Sequence, residues 1–241
     1  MIDFHTHILP EIDDGSHDVY ESISMLKQSY AQGVDILCLT SHFRKGEHNI
    51  KTWLRDREDR LYRIRETLTD EDRKVVPKVI LGAEIEYNSK MNHWDYLDQL
   101  CIRGTKYLLT EMPFIPWSEA VVKTIDDIAR NTDMTPIIPH IDRYFDNFTP
   151  HKYIERLYTM PVIIQMNGIY ITNVNNIQFF KPLFMERKIQ ILGSDCHGPE
   201  WRTPNLGPTV EMLREVCGQE IVDEIEARSR KMIEGAEIIT L

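Results

Sequence analysis

His5 and His7, one residue apart near the N-terminus, are where a chemical reading of this sequence starts. On a strand, residues two apart point to one face, so two imidazoles would stand side by side on stiff backbone. That arrangement suits a divalent metal. Asp13-Asp14-Gly15 comes within one loop and adds hard carboxylate oxygens. Taken alone, a His-x-His pair is equally a pair of surface or core histidines. Recurrence is what gives it weight.

The elements that must position these groups can be read from periodicity. Residues 17–32 read as a helix, with Ser16 as N-cap, Val19, Ile23, Leu26 and Tyr30 on one face, and Gly33 as its stop. Val34–Leu39 reads as a buried strand ending in Thr40-Ser41-His42, and residues 50–70 as a long helix with a solvated charged face. Val75–Leu81 is the next predicted strand and runs into Glu84; residues 88–101 are assigned as helical. Lys106–Thr110 is a strand leading to Glu111, then comes a proline-marked loop, 112–117, and a helix from Ser118 to about Asn131. Thr135–Pro139 is a strand ending in His140. Thr149-Pro150 reads as N-cap and first residue of a helix carrying Tyr153 and Leu157. Val162–Met166 is a strand ending in Asn167, and a helical segment spans Phe179–Arg187. Ile189–Leu192 is the last strand and ends in Asp195-Cys196-His197. Two helices close the chain.

Strand and helix thus alternate seven times. That implies a parallel sheet with right-handed crossovers, closed into a distorted (β/α)7 TIM-like barrel. In such barrels chemistry sits at the C-terminal ends of the strands. Six of the seven ends present a residue able to bind metal: His5 and His7, His42, Glu84, Glu111, His140, and Asp195 with His197. The other presents the amide of Asn167. A single strand-end acid is often a helix cap, but six on one rim predict a polynuclear metal site. His17, His48, His93 and His151 fall in helices or loops and read as surface, with His48 the one that could reach the rim.

Composition narrows the function classes. The formal charge of −10 and the pI near 5.4 exclude broad electrostatic attraction to nucleic acid, which needs clustered Lys and Arg. No apolar run is long enough to span a bilayer, and the N-terminus shows no secretory signal, so no membrane insertion and a cytoplasmic location are expected. Cys38, Cys101, Cys196 and Cys217 show no paired spacing and read as reduced thiols. Without a repeat, low-complexity tract or linker, residues 1–241 read as a single domain; nothing sets the oligomeric state.

The strand-end motifs carry a resemblance. Asp3-Phe4-His5-Thr6-His7, Asp13-Asp14-Gly15, Thr40-Ser41-His42 with Arg44-Lys45-Gly46, Gly82-Ala83-Glu84-Ile85, Glu111, Pro139 to Tyr144 and Ser194 to His197 resemble the polymerase-and-histidinol-phosphatase (PHP) superfamily. They are most similar to the bacterial protein-tyrosine phosphatases of capsule and exopolysaccharide operons. The likeness runs from residue 1 to about 205 and is weak over 50–75. It implies three divalent metals. His5, His7, Glu84 and Asp195 would hold one. Glu84, bridging, would share a second with Glu111 and His140. Asp14, His42 and His197 would hold the third. It also implies catalytic and substrate-binding roles for Arg143 and Arg202, and a phosphotyrosine protein, in particular a polysaccharide-export tyrosine kinase, as substrate. The departures lie beside the ligands, in Gly198-Pro199-Glu200-Trp201, and bear on substrate preference.

With that ligand set, three divalent ions and four carboxylates leave an inner charge of +2, matched to a phosphate dianion. Mixed nitrogen and oxygen donors suit manganese, with iron or zinc as alternatives. The expected activity is phosphotyrosine hydrolysis by a metal-activated hydroxide. Arg143 and Arg202 suit the remaining phosphoryl oxygens because a planar guanidinium binds phosphate bidentately; each is otherwise a surface ion pair. A phenolate leaving group needs little protonation, so Asp142, His42 and His197 stay open as acids. Cys196 and Arg202 have the Cys-x5-Arg spacing of thiolate phosphatases, but on a strand Cys196 faces away from Asp195 and His197. Two competing functions are a PHP phosphoesterase acting on a small phosphomonoester such as histidinol phosphate, and a non-catalytic metal-binding partner of a polysaccharide-assembly kinase.

Overall fold

The computed structural model describes residues 1–145 and 150–241. Its strands are β1 (Ile2–Thr6), β2 (Ile36–Leu39), β3 (His42–Phe43), β4 (Lys78–Leu81), β5 (Glu84–Glu86), β6 (Tyr107–Glu111), β7 (Thr135–Ile138), β8 (Ile163–Asn167) and β9 (Ile191–Gly193). All pair in parallel, in the orders β1-β2-β4 and β3-β5-β6-β7-β8-β9. The two sheets are one surface. β3 continues β2 and β5 continues β4, and the register of Leu39 on Leu81 carries straight on to His42 on Glu84. The far edge closes: Asp195 N–H donates to His5 O (2.8 Å), and His7 N–H donates to Cys196 O (2.9 Å). Seven staves therefore make a distorted barrel, as the alternation predicts.

Helices α1 (Val19–Ala31), α2 (Ile50–Thr67), α3 (Glu119–Asn131), α4 (Ile141–Tyr144), α5 (His151–Leu157), α6 (Gly168–Ile171), α7 (Val174–Met185), α8 (Leu206–Cys217) and α9 (Gln219–Met232) connect or come after the strands. Alternation along each strand splits the core in two. Leu37, Val79, Leu108, Ile138, Ile164 and Leu192 face outward and pack with helix residues such as Leu26, Ile64 and Ile125. Ile2, Phe4, Ile36, Ile80, Leu109, Ile137 and Ile191 fill the interior, with Met232 and Ile233 packed among them. None of the described helices is long and apolar enough to cross a membrane.

Several element bounds differ from those predicted. Asp18, not Ser16, caps α1, accepting from the N–H groups of Tyr20 and Glu21. Ser16 instead hydrogen-bonds Ser22 and the Asp18 carbonyl. Val75 ends a short 3-10 turn, Asp72–Val75, because Pro77 has no N–H to donate and the ladder starts only at Lys78. Residues 88–101 hold two 3-10 turns, Met91–His93 and Leu97–Leu100, rather than a helix. Pro150 lies at the cap position of α5 and not at its first residue; Thr149 lies outside the described residues. The Phe179–Arg187 helix starts earlier, at Val174, capped by Asn173.

Candidate metal centre

The first stave does not simply alternate. Asp3 stands opposite Leu37 and Thr6 opposite Leu39, so three steps on β1 match two on β2. This bulge reverses the facing of the residues beyond it. Phe4 points into the interior with Ile2, yet His5 and His7 also turn inward, to the mouth. Gly193 on β9 leaves the room: a Cβ there would lie 2.6 Å from His5 Cβ. Just beyond β7 a second device acts. His140 adopts left-handed backbone (φ 35°), which swings its ring back over the mouth.

The result is a knot of side chains around Glu84, which is 1% exposed. Glu84 Oε2 lies 3.1 Å from His5 Nε2 and 3.2 Å from both His7 Nε2 and His42 Nδ1. Glu84 Oε1 lies 3.0 Å from His140 Nε2, which is 3.5 Å from Glu111 Oε1. Asp195 Oδ1 lies 3.5 Å from Nε2 of both His5 and His7. Asp14 Oδ1 is 3.5 Å from His42 Nε2 and 3.9 Å from His197 Nε2. All nine ligand-type residues singled out from the sequence thus meet at one mouth. Among the described residues, three overlapping sets have donor atoms within 4.8 Å of one another: His7, Asp14, His42 and His197; His5, His7 and Glu84; His42, Glu84 and Glu111. His48 stays out, its Nδ1 accepting from Arg44 N–H.

The donor set fits cations. His5 Nδ1 lies 3.3 Å from Gln165 Oε1 and His7 Nδ1 lies 2.8 Å from Asp13 Oδ2, so both rings turn Nε2 toward the mouth, where a neutral imidazole would offer its lone pair to a cation. Those two nitrogens are 3.0 Å apart. Two ligands at right angles, each about 2.1 Å from one ion, have that separation. His42 Nδ1 is buried and makes no hydrogen bond despite its approach to Glu84.

Protons alone serve this cluster unevenly. Burial opposes charge on His7, but Asp13, Asp195 and Glu84 together outweigh it and raise the ring well above its usual range. Against burial, Glu111 and Glu84 raise His140 to about 9. Burial, and then the neighbouring His7, push His197 down to about 3. His42 is lowered chiefly by burial. Glu84 and Asp195 are held well below the carboxylate range against burial, in both cases with His5 as the leading opposing charge. Some rings hold a proton and their neighbours cannot. Divalent ions would satisfy every donor together.

Gln165 escaped the reading of the sequence, and Asp13 and Asp3, read there as parts of motifs, prove to be supports. Asp13 holds His7 and also accepts from His42 N–H (2.8 Å), while its neighbour Asp14 faces the cleft. Gln165 ties His5 to His140, whose N–H donates to Gln165 Oε1 (3.0 Å). Its signal was a polar side chain in the apolar run of β8. Asp3 accepts from Ser194 N–H (2.9 Å) and helps close β1 on β9.

The cleft above is lined by Asp14, His42, Arg44, Glu84, Glu86, Glu111, Phe114, Arg143, Asp195, His197 and Arg202. Asp195 divides its oxygens. Oδ1 faces the histidine pair, while Oδ2 accepts from Asn167 Nδ2 (2.8 Å) and meets Arg202 (2.5 Å) and Arg143 (3.9 Å). Both arginines therefore reach the floor. Cys196 is buried in the outer core layer, and burial pushes its thiol up to about 12. Asp142 is also buried, accepting from Asn167 N–H, and does not line the cleft.

Residues 1–234 match the family model for capsular polysaccharide synthesis, CpsB/CapC. The chain belongs to this family. Among curated CpsB/CapC-type relatives, tyrosine-protein phosphatase YwqE of Bacillus subtilis (strain 168) is 34% identical over 226 residues, covering 92% of this chain and 87% of YwqE. Tyrosine-protein phosphatase CpsB of Streptococcus agalactiae serotype III (strain NEM316) is 27% identical over 237 residues, covering 93% and 94%. A crystal structure from work on Bacillus subtilis YwqE and Streptococcus pneumoniae CpsB, described there as metal-dependent tyrosine phosphatases, superposes with a TM-score of 0.80. It is 21% identical and covers 98% of this chain and 95% of that one, so this CpsB/CapC member shares its fold.

Proposed function

We propose that this chain is a metal-dependent protein-tyrosine phosphatase, a phosphoric monoester hydrolase acting on phosphotyrosine in a protein. The observation that carries the reading is the convergence of the nine ligand-type side chains, five imidazoles and four carboxylates, at one mouth, with Arg143 and Arg202 meeting Asp195 there. Membership of a family whose curated relatives are named tyrosine-protein phosphatases supports it.

In this proposal His5, His7, Glu84 and Asp195 would hold one ion, Glu84, Glu111 and His140 would hold a second, and Asp14, His42 and His197 a third, with manganese the best match and iron or zinc alternatives. Bound ions would supply a water deprotonated near neutral pH and positive charge for the phosphoryl oxygens. Arg143 and Arg202 bind the remaining oxygens and fix the phosphoryl group over the floor. Asp13 and Gln165 hold the imidazoles of His7 and His5 in the tautomer that aims Nε2 inward. The leaving tyrosinate, with a pKa near 10, departs with little help from an acid. Residues 1–241 act as one domain, in the cytoplasm, on a tyrosine kinase of polysaccharide export.

Metal analysis combined with an aryl-phosphate assay tests the proposal. Chelation should abolish turnover and manganese should restore it. Undiminished turnover in metal-free protein would sink it.

A further inference from the structure

Two aromatic side chains that touch cleft-lining residues have no role in holding metal. Phe114, in the loop after β6, is 42% exposed and lines the cleft; Trp201, in the loop after β9, is 68% exposed. Single exposed apolar residues are ordinary. These two differ in what they carry. The Arg143 guanidinium lies 4.6 Å over the Phe114 ring, and the Arg202 guanidinium 5.5 Å over the Trp201 ring. Each ring thus sits beside one of the two arginines that meet at Asp195 Oδ2.

Both are held in place. Phe114 packs against His140 (5.8 Å) and Tyr144 (5.6 Å), and the Tyr144 hydroxyl accepts from Met112 N–H (2.9 Å) at the root of the loop. The Trp201 loop is tied across its ends, His197 N–H donating to Arg202 O (2.9 Å). Arg202 takes left-handed backbone (φ 48°), which turns its guanidinium down to Asp195 and leaves the indole at the rim, edge-on to His197 (6.5 Å).

We propose that Phe114 and Trp201 form an aromatic clamp that grips the ring of an aryl phosphomonoester and so selects aryl over alkyl substrates. The inference rests on the phosphatase reading above and names the residues that set its substrate class. A phosphoryl group held by Arg143 and Arg202 would carry its organic group outward from the floor, beside the two rings that the same arginines contact. A phenyl ring can pack edge-to-face against Phe114 and stack on the indole of Trp201. An alkyl chain gains neither contact.

The test is direct binding, by titration calorimetry, of phenylphosphonate and methylphosphonate to the manganese-loaded full chain. The two ligands share the phosphonate group and differ in the organic substituent, a ring against a methyl group. Wild type should prefer phenylphosphonate. Trp201→Ala and Phe114→Ala should each lower that preference about threefold to tenfold, with Trp201→Phe restoring most of it. No ring preference in wild type, or a preference unchanged in both alanine variants, overturns the clamp. Equal weakening of both ligands also overturns it, because rings that only support arginines would act on the phosphonate group. Failure of the phosphatase reading looks different: wild type would bind phenylphosphonate with ring preference yet turn over no aryl phosphate.

Discussion

Asp13 and Asp14 are adjacent and chemically identical, and the fold gives them different work. Asp14 faces the cleft near His42 and His197, whereas Asp13 turns in, accepts from His7 and His42, and also receives Gly15 N–H (3.0 Å). Burial would raise the Asp13 pKa, but His7 and His42 together outweigh it and hold the carboxylate well below its usual range. Asp13→Ala should therefore weaken metal binding about tenfold to a hundredfold, the usual cost of losing such a support. Metal titration followed by mass spectrometry reads this, and unaltered affinity would show that His7 needs no orienting partner. Cys196 makes the opposite case. It has the spacing of a thiolate nucleophile, but it is packed in the outer core layer and its thiol is pushed up, so it is neutral near pH 7. Cys196→Ser should retain most manganese-dependent kcat/KM, and abolition of turnover in a folded variant would restore the thiolate mechanism.

At the scale of elements, the apolar runs and strand-end residues were enough to read the seven staves and the ligand-type side chains that meet at their mouth. What periodicity could not supply was direction. Phe4 and His5 are neighbours and both face inward, which strict alternation forbids and the bulge between Asp3 and Thr6 allows. His140 would point outward with Ile138 but for its left-handed backbone. Both departures depend on contacts with distant strands, so no local window contains them. The 88–101 segment failed for the reverse reason: its apolar residues Met91, Leu97 and Leu100 are buried, but spaced for short turns rather than one helix. The closure of β1 on β9 is the tightest of these constraints. In Gly193→Ala the added carbon would meet His5 Cβ at 2.6 Å and crowd the Gln165 amide. Overpacking there should cost about 1–3 kcal/mol in urea denaturation. By shifting His5 it should also lower kcat/KM about tenfold to a hundredfold. Full activity would mean that the two staves can part without disturbing the histidines.

For the whole molecule, the acidic balance and the site are one electrostatic problem. A chain of formal charge −10 buries Glu84 and Asp195 at its mouth, where imidazoles and the Arg143 and Arg202 guanidinium groups offset them. Removing such carboxylates from water is costly unless positive charge meets them. Ligands for the proposed ions come from β1, β3, β5, β6, β7 and β9 and their flanking loops, so a bound cation ties together staves far apart in sequence. Binding to the folded chain alone stabilises it by about 2.7 kcal/mol at a hundred times Kd. At roughly 2–4 °C per kcal/mol for a chain of this size, manganese should raise Tm by about 5–10 °C, and a chelator should reverse the shift. Glu84→Gln provides the decisive comparison, since this side chain touches His5, His7, His42 and His140 at once. The quantity to read is the manganese-induced shift rather than Tm itself, because neutralising a buried acid also changes the metal-free protein. The shift should fall by more than half in Glu84→Gln. If that variant keeps the whole shift, the ions do not share Glu84, and the three sites cannot be coupled through it.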